Sequence, residues 1–299
     1  MNAQILNGKE IAAELRTCVA KAVTYLNKQS VYPGLATILV GRDSASSVYV
    51  ANKSRLAKEL GIKSFQYNLE ENITEKELIK LIHELNDNHE VDGILVQLPL
   101  PKHINTDIIL DTIKPNKDVD GFHTINAGNL YLNRKAVIPC TPLGCLIMLR
   151  SLKVSLHGLR AVIIGRSNIV GKPMSQLLLK ENCTVTVVHS YTKNIKEIVK
   201  ESDIVVAALG IANYVKESWI KPGSIVIDVG INRIKENGKN KLVGDVEFDK
   251  IKNIASAITP VPGGVGPMTI ACLLMNTVLQ CSSNNNIELD NNNFKKFIK

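Results

Sequence analysis

Six short, largely apolar runs, each ending in or next to a glycine, proline or polar side chain, constrain this chain more than any other feature. They are LATILVG at 35–41, VDGILVQLPLP at 91–101, LRAVIIG at 159–165, CTVTVVHS at 183–190, SDIVVAALG at 202–210 and GSIVIDVGI at 223–231. Continuous apolar runs, as at 35–41 and 159–165, suit strands buried on both faces, and the more polar CTVTVVHS reads simply as a strand. Between them, apolar residues recur at helical spacing, as at Ile11, Leu15, Val19, Val23 and Leu26. Thr74 and Glu77 form a capping-box pattern that opens a helix to about Leu85. Strand–helix–strand order implies parallel sheets covered by helices, an α/β architecture. In such sheets ligands bind beyond the carboxyl ends of the strands.

A chain of 299 residues has room for two such units. The second begins near TPLG at 141–144, where Pro142 suits a first helical turn. The segment 232–243, with Asn237 and Gly238 at its centre, reads as a hairpin or surface loop. TPVPGGVGPMT at 259–269 is a stiff loop before a last helix to about Cys281. The Asn-rich stretch beyond it is expected to be at least partly mobile.

Composition narrows the function. The net charge is +8, from lysines spread along the chain rather than gathered into a basic stripe. No aromatic-plus-basic motif accompanies it, so a nucleic-acid partner is not expected, and an anionic small molecule suits the field better. The six cysteines include no C-x-x-C pair, which fits reduced thiols rather than disulfides or a metal site. No apolar run is read as long enough to cross a bilayer, and the N-terminus carries no signal-peptide pattern. A cytoplasmic protein with no membrane partner and no metal is expected.

GRSNIVGKPM at 165–174 sits between a strand and a helix, the position of a dinucleotide-binding turn. It departs from G-x-G-x-x-G, because Ser167 stands where a second glycine would be. Gly165 can make the tight turn and Gly171 can admit close helix–strand packing. The next strand ends in His189, Ser190, Tyr191 and Thr192, with no carboxylate to hold a ribose hydroxyl. With Arg166 in the loop, this favours a 2′-phosphate and hence NADP over NAD.

In the first unit, Tyr49 stands four residues before Lys53, so both lie on one helical face. A proton-transfer lysine must be at least transiently neutral. Placing Lys53 near a helix start gives one reason for a low pKa. Gln97 ends a strand just before Pro99, where a neutral amide can orient a lysine. Asp118 and Asp120 lie in KDVDGFH, where they can pair with a base or simply form a turn before Gly121. Short-chain dehydrogenases also use Tyr-x-x-x-Lys, but after their dinucleotide turn. Here the pair precedes that turn by more than a hundred residues, which excludes the analogy.

YVANK (49–53), VQLPLP (96–101), PNKDVDGFHTINAGNL (115–130), PCTPLG (139–144), GRSNIVGKPM and TPVPGGVGPMT stand in the order of one family. The chain resembles the bifunctional methylenetetrahydrofolate dehydrogenase/methenyltetrahydrofolate cyclohydrolases up to about Cys281. The resemblance implies two α/β domains: residues 1–140, completed by the C-terminal helix from about 267, hold the folate, and 141–266 form a Rossmann-like NADP domain, with a cleft between them. It implies a homodimer, a folate substrate and NADP as cofactor. It assigns Lys53 to catalysis, Tyr49 to stacking on the folate, Gln97 to holding the lysine and Asp120 to anchoring the pterin. Pro262, Gly263 and Gly264 fall in a substrate-binding loop, and Gly165, Arg166, Ser167, Ser190 and Ile231 at NADP positions. A dehydrogenase of the same fold without the cyclohydrolase step is the alternative. AALGIAN at 207–213 lacks the proline that often follows its glycine.

Overall fold

A computed structural model describes residues 2–41, 44–236, 238–289, 294, 296 and 297, with the side chains of 44–46 and 239 not described. In chain order the elements begin with β1 (Gln4–Ile5), α1 (Gly8–Asn27), β2 (Gly34–Val40), α2 (Ser44–Glu59), β3 (Lys63–Leu69), α3 (Glu75–Asp87) and β4 (Gly93–Val96). Then come α4 (Thr106–Thr112), α5 (Thr124–Tyr131), α6 (Cys140–Ser151), β5 (Arg160–Ile164), α7 (Gly171–Lys180), β6 (Thr184–Val188) and α8 (Ile195–Lys200). The last third holds β7 (Ile204–Ala207), a 3-10 turn (Glu217–Trp219), β8 (Ile225–Asp228), β9 (Asn232–Glu236), β10 (Lys239–Val243), α9 (Phe248–Ile251), β11 (Ala257–Ile258) and α10 (Val265–Asn284).

The chain divides into two compact units, one of residues 14–140 and 270–299, the other of 1–13 and 141–269. The first carries a parallel sheet in the order β3-β2-β4. Its central strand β2 is buried along its whole length, as a continuous apolar run predicts. Ala36, Ile38 and Val40 of β2 share one core with Leu78, Ile82 and Leu85 of α3 and Ile109 of α4. The capping box forms: Thr74 Oγ1 accepts from the Glu77 amide at 3.3 Å and Glu77 accepts from the Thr74 amide at 2.9 Å.

The second unit carries a six-stranded parallel sheet in the order β1-β11-β8-β7-β5-β6. The first thirteen residues belong here rather than with 14–140, because β1 pairs in parallel with β11. That pairing joins chain ends with more than two hundred residues between them, so local pattern carries no sign of it. β9 and β10 form an antiparallel hairpin around 238, and Asn237 lies outside the described residues.

One sequence expectation is corrected. Helix α10 is long and apolar enough, by length and composition, to cross a membrane, but 72% of its apolar window is buried within the protein. The Asn-rich end is also anchored in part. Phe294 and Phe297 are buried, and Lys296 pairs with Glu14 of α1. The expectation of mobility for 290–293, 295 and 298–299 falls outside the described residues.

Candidate functional site

The first unit builds its site around Lys53. Its Nζ donates to Gln97 Oε1 at 3.0 Å, and the residue is only 4% exposed. Gln97 is the first residue after β4, held by its amide on the Ile38 carbonyl at 2.9 Å. Its Nε2 donates onward to the Leu98 carbonyl at 2.8 Å, which turns its acceptor oxygen toward the lysine. The lysine ammonium also lies 4.8 Å from the centre of the Tyr49 ring, one turn back on α2. Tyr49 and Lys53 therefore share a face, as their spacing predicts.

Burial lowers the Lys53 pKa, and the charges of Asp120 and Cys140 oppose that shift. The helix dipole is not the cause. Lys53 lies nine residues after the first residue of α2, and dipole effects fade within the first turn. Burial also raises Asp120, to about 6, against the pull of Lys53. Asp120 keeps partial exposure as a residue, so the dense protein around its carboxyl is what counts.

The structure separates the two aspartates of KDVDGFH. Asp118 is a loop clip: its carboxylate accepts from the amides of Gly121 and His123 and from Asn126 Nδ2, each at 2.9 Å. Asp120 is the one coupled to Lys53.

Two residues that hold this loop were passed over at the sequence level. Asn276 Nδ2, from α10, donates to the carbonyls of Val119 at 2.9 Å and Ile138 at 3.0 Å. The Cys140 thiol donates to the same Val119 carbonyl at 3.3 Å. A lone asparagine inside the apolar run LLMNTVL was the available signal, since a buried amide needs partners.

The second unit places its candidates at the carboxyl edge of the six-stranded sheet. Gly165 ends β5 with φ +123°, and a Cβ there would lie 2.2 Å from the Ala208 carbonyl oxygen. A Cβ on Gly171 would lie 2.3 Å from the Gly165 carbonyl oxygen. Both glycines are therefore required by close approach. Ser167 Oγ accepts from the amides of Val170 at 3.1 Å and Gly171 at 3.3 Å. Both lone pairs are thus used, and the hydroxyl hydrogen remains for an outside acceptor such as phosphate.

Arg166 and Ser190 are exposed, and the Arg166 guanidinium lies 5.8 Å from the Tyr191 ring centre. A basic, hydroxyl-bearing edge without a carboxylate fits a 2′-phosphate. Ile231 is 59% exposed beyond β8. Pro262 is exposed after a cis peptide bond, Gly263 is half-buried, and Gly264 is buried. The structure thus brings Lys53, Gln97, Tyr49 and Asp120 together in one unit. Gly165, Arg166, Ser167, Ser190, Ile231 and Pro262–Gly264 belong to the other.

Comparison with known proteins agrees with this geometry. Residues 6–120 match the tetrahydrofolate dehydrogenase/cyclohydrolase catalytic domain, and residues 139–285 match the NAD(P)-binding domain of the same enzymes. The chain is 53% identical over 293 residues to bifunctional protein FolD 1 of Roseobacter denitrificans, covering 96% of this chain and 98% of that protein. It is 55% identical over 291 residues to bifunctional protein FolD of Ehrlichia canis, covering 96% and 97%. The crystal structure of the Campylobacter jejuni FolD bifunctional dehydrogenase/cyclohydrolase superposes with a TM-score of 0.91 at 47% identity, over 94% of this chain and 99% of that one. The Trypanosoma brucei enzyme, solved with NADP cofactor and an inhibitor, superposes with a TM-score of 0.92 at 38% identity, over 95% and 99%. The chain belongs to the tetrahydrofolate dehydrogenase/cyclohydrolase family.

Proposed function

We propose how labour is divided among the residues of this chain, which is a bifunctional NADP-dependent methylenetetrahydrofolate dehydrogenase and methenyltetrahydrofolate cyclohydrolase. The observation that carries the reading is the buried Lys53 with its ammonium nitrogen on Gln97. Hydride loss leaves a delocalised cation on the folate. A fixed ammonium beside that cation would oppose it, so burial, which lowers the Lys53 pKa and favours its uncharged form, suits the first step. NADP, when bound, supplies the hydride acceptor.

Water then attacks the cationic carbon and must lose a proton. Lys53, oriented by Gln97, is the base for that transfer. Asp120, largely ionised above about pH 6, anchors the pterin and offsets the developing charge. Tyr49 supplies the stacking face. Pro262, Gly263 and Gly264 are assigned to substrate binding. Gly165, Ser167 and Arg166 take the dinucleotide phosphates, with Ser190 and Ile231 beside them. The same pair of steps serves one-carbon supply, including purine biosynthesis.

We read the enzyme as a cytoplasmic homodimer. Six free cysteines among the described residues fit a reducing compartment. For the dimer, β6 is an edge strand that exposes Thr184 and Thr186 on one face and Val187 on the other, and its open edge is where a second copy pairs. Light scattering on the purified chain and on Val187→Lys tests this; a wild-type monomer would end the reading.

The assay for the activity follows methenyl- and formyltetrahydrofolate after methylenetetrahydrofolate and NADP are added. Lys53→Met is expected to abolish formyl product, with a loss of about a hundredfold or more, while NADP binding is kept. Full cyclohydrolase activity in that variant would refute the role of Lys53.

A further inference from the structure

Three loops leave the carboxyl edge of the six-stranded sheet side by side: 165–171 after β5, 208–211 after β7 and 229–231 after β8. The middle one is organised by a single buried side chain. Asp245, which follows β10, has 0% exposure. Its Oδ2 accepts from the amides of Leu209 at 2.6 Å and Gly210 at 3.0 Å. Its Oδ1 accepts from the amide of Ile211 at 3.0 Å and from Asn232 Nδ2 at 2.8 Å. Four N–H donors converge on two oxygens, which is the demand of an acceptor-only carboxylate. All four donors are neutral amides, so they solvate the negative charge without cancelling it. A Cβ on Gly230 would lie 2.1 Å from Oδ1, so the third loop also moulds to this carboxylate. A second aspartate steadies it: Asp228 Oδ1 accepts from the Asp245 amide at 2.9 Å.

The peptide group is planar and trans, so each N–H points opposite to the carbonyl of the preceding residue. Three consecutive N–H groups aimed at Asp245 therefore turn the carbonyls of Ala208, Leu209 and Gly210 the other way. The Ala208 oxygen follows this rule: it faces Gly165, in the space where a Cβ of that residue would stand. The outward side of the loop, next to the glycine turn, is lined with acceptors and backed by a buried negative charge.

Such a surface selects for a ligand group that donates N–H and carries positive charge. The oxidised nicotinamide ring with its carboxamide has both properties; the reduced ring keeps the carboxamide but is neutral. We propose that Asp245 is a positioning residue that, through the loop 208–211, tilts the cofactor site toward the oxidised form of NADP. The proposal rests on the reading that Gly165, Arg166 and Ser167 hold the dinucleotide.

The test compares affinities rather than turnover. NADPH binding is followed by its own fluorescence and NADP⁺ by displacement of NADPH, in the full-length chain. In Asp245→Asn the NADP⁺ affinity is expected to fall about five- to tenfold more than the NADPH affinity, as loss of a nearby charge in a low-dielectric site implies. Asp245→Glu, which keeps the charge, is expected to weaken both forms while preserving their ratio. Structural damage alone would move both forms together. If circular dichroism shows that Asp245→Asn does not fold, Asp245→Ser, which removes the same charge but leaves a hydroxyl oxygen to accept from the loop amides, is expected to shift the ratio the same way. An unchanged ratio in whichever variant folds overturns the proposal. Arg166→Ala separates the two readings: it is expected to weaken both cofactor forms equally. If it weakens neither, the placement of the dinucleotide fails instead.

Discussion

Lys53 Nζ donates to Gln97 Oε1 across 3.0 Å in a place where the lysine is almost wholly removed from water. A neutral amide orients the amine without placing a negative charge beside it. That choice of partner distinguishes a working base from a structural ion pair, because a carboxylate there would hold the lysine protonated.

Gln97→Glu tests this directly. A carboxylate at the same distance raises the Lys53 pKa, so less free amine is present at neutral pH. Cyclohydrolase activity is expected to fall about 10- to 100-fold near pH 7 and to recover as pH rises. A pH–rate profile measures it. A uniform loss at every pH would assign Gln97 to substrate contact instead.

Asp120 couples activity to stability. Its folded pKa of about 6 lies above the ordinary 3.8 because of burial. The folded state therefore binds the proton more tightly, and stability falls as pH rises from about 4 through 6. Asp120→Asn is expected to be more stable than the parent by about 1–2 kcal/mol at pH 8, with the gain shrinking toward pH 4, while activity is lost. Urea denaturation at both pH values checks the sign. An equal gain at both would show that ionisation is not the cause.

Gly165→Ala places a methyl group against the Ala208 carbonyl oxygen, on a backbone with φ +123°. The expected cost is about 2–3 kcal/mol, together with loss of NADP binding. Thermal unfolding and NADPH fluorescence titration report the two effects. Tight NADPH binding by this variant would contradict the cofactor assignment.

The C-terminal anchor is a matter of stability. Phe297 is 3% exposed. A site near a chain end collapses more easily than a central core, so Phe297→Ala is expected to cost about 2–3 kcal/mol. Dehydrogenase turnover measured below the new unfolding transition should be unchanged. A fall in kcat would tie this segment to the site.

Local pattern determined a good deal by itself. Continuous apolar runs made β2, β5, β7 and β8 legible as buried strands, because a strand covered on both faces needs apolar residues at every position. Spacing put Tyr49 and Lys53 on one face, and Gly165, Ser167 and Gly171 announced a phosphate-type turn, because these depend on chain geometry within a few residues. Tertiary structure decided what depends on distant neighbours. The pKa direction of Lys53 comes from burial that no helix position predicts. Asp118 and Asp120, two residues apart, are divided into a loop clip and a partner of Lys53 by what surrounds each carboxylate. The first strand joins the second unit only because β11 offers it an edge. Asp245 reaches Leu209, Gly210 and Ile211 across more than thirty residues of sequence. Hydrogen bonds and desolvation act through space, so the sequence named the participants, and the packed structure alone set the field in which each one works.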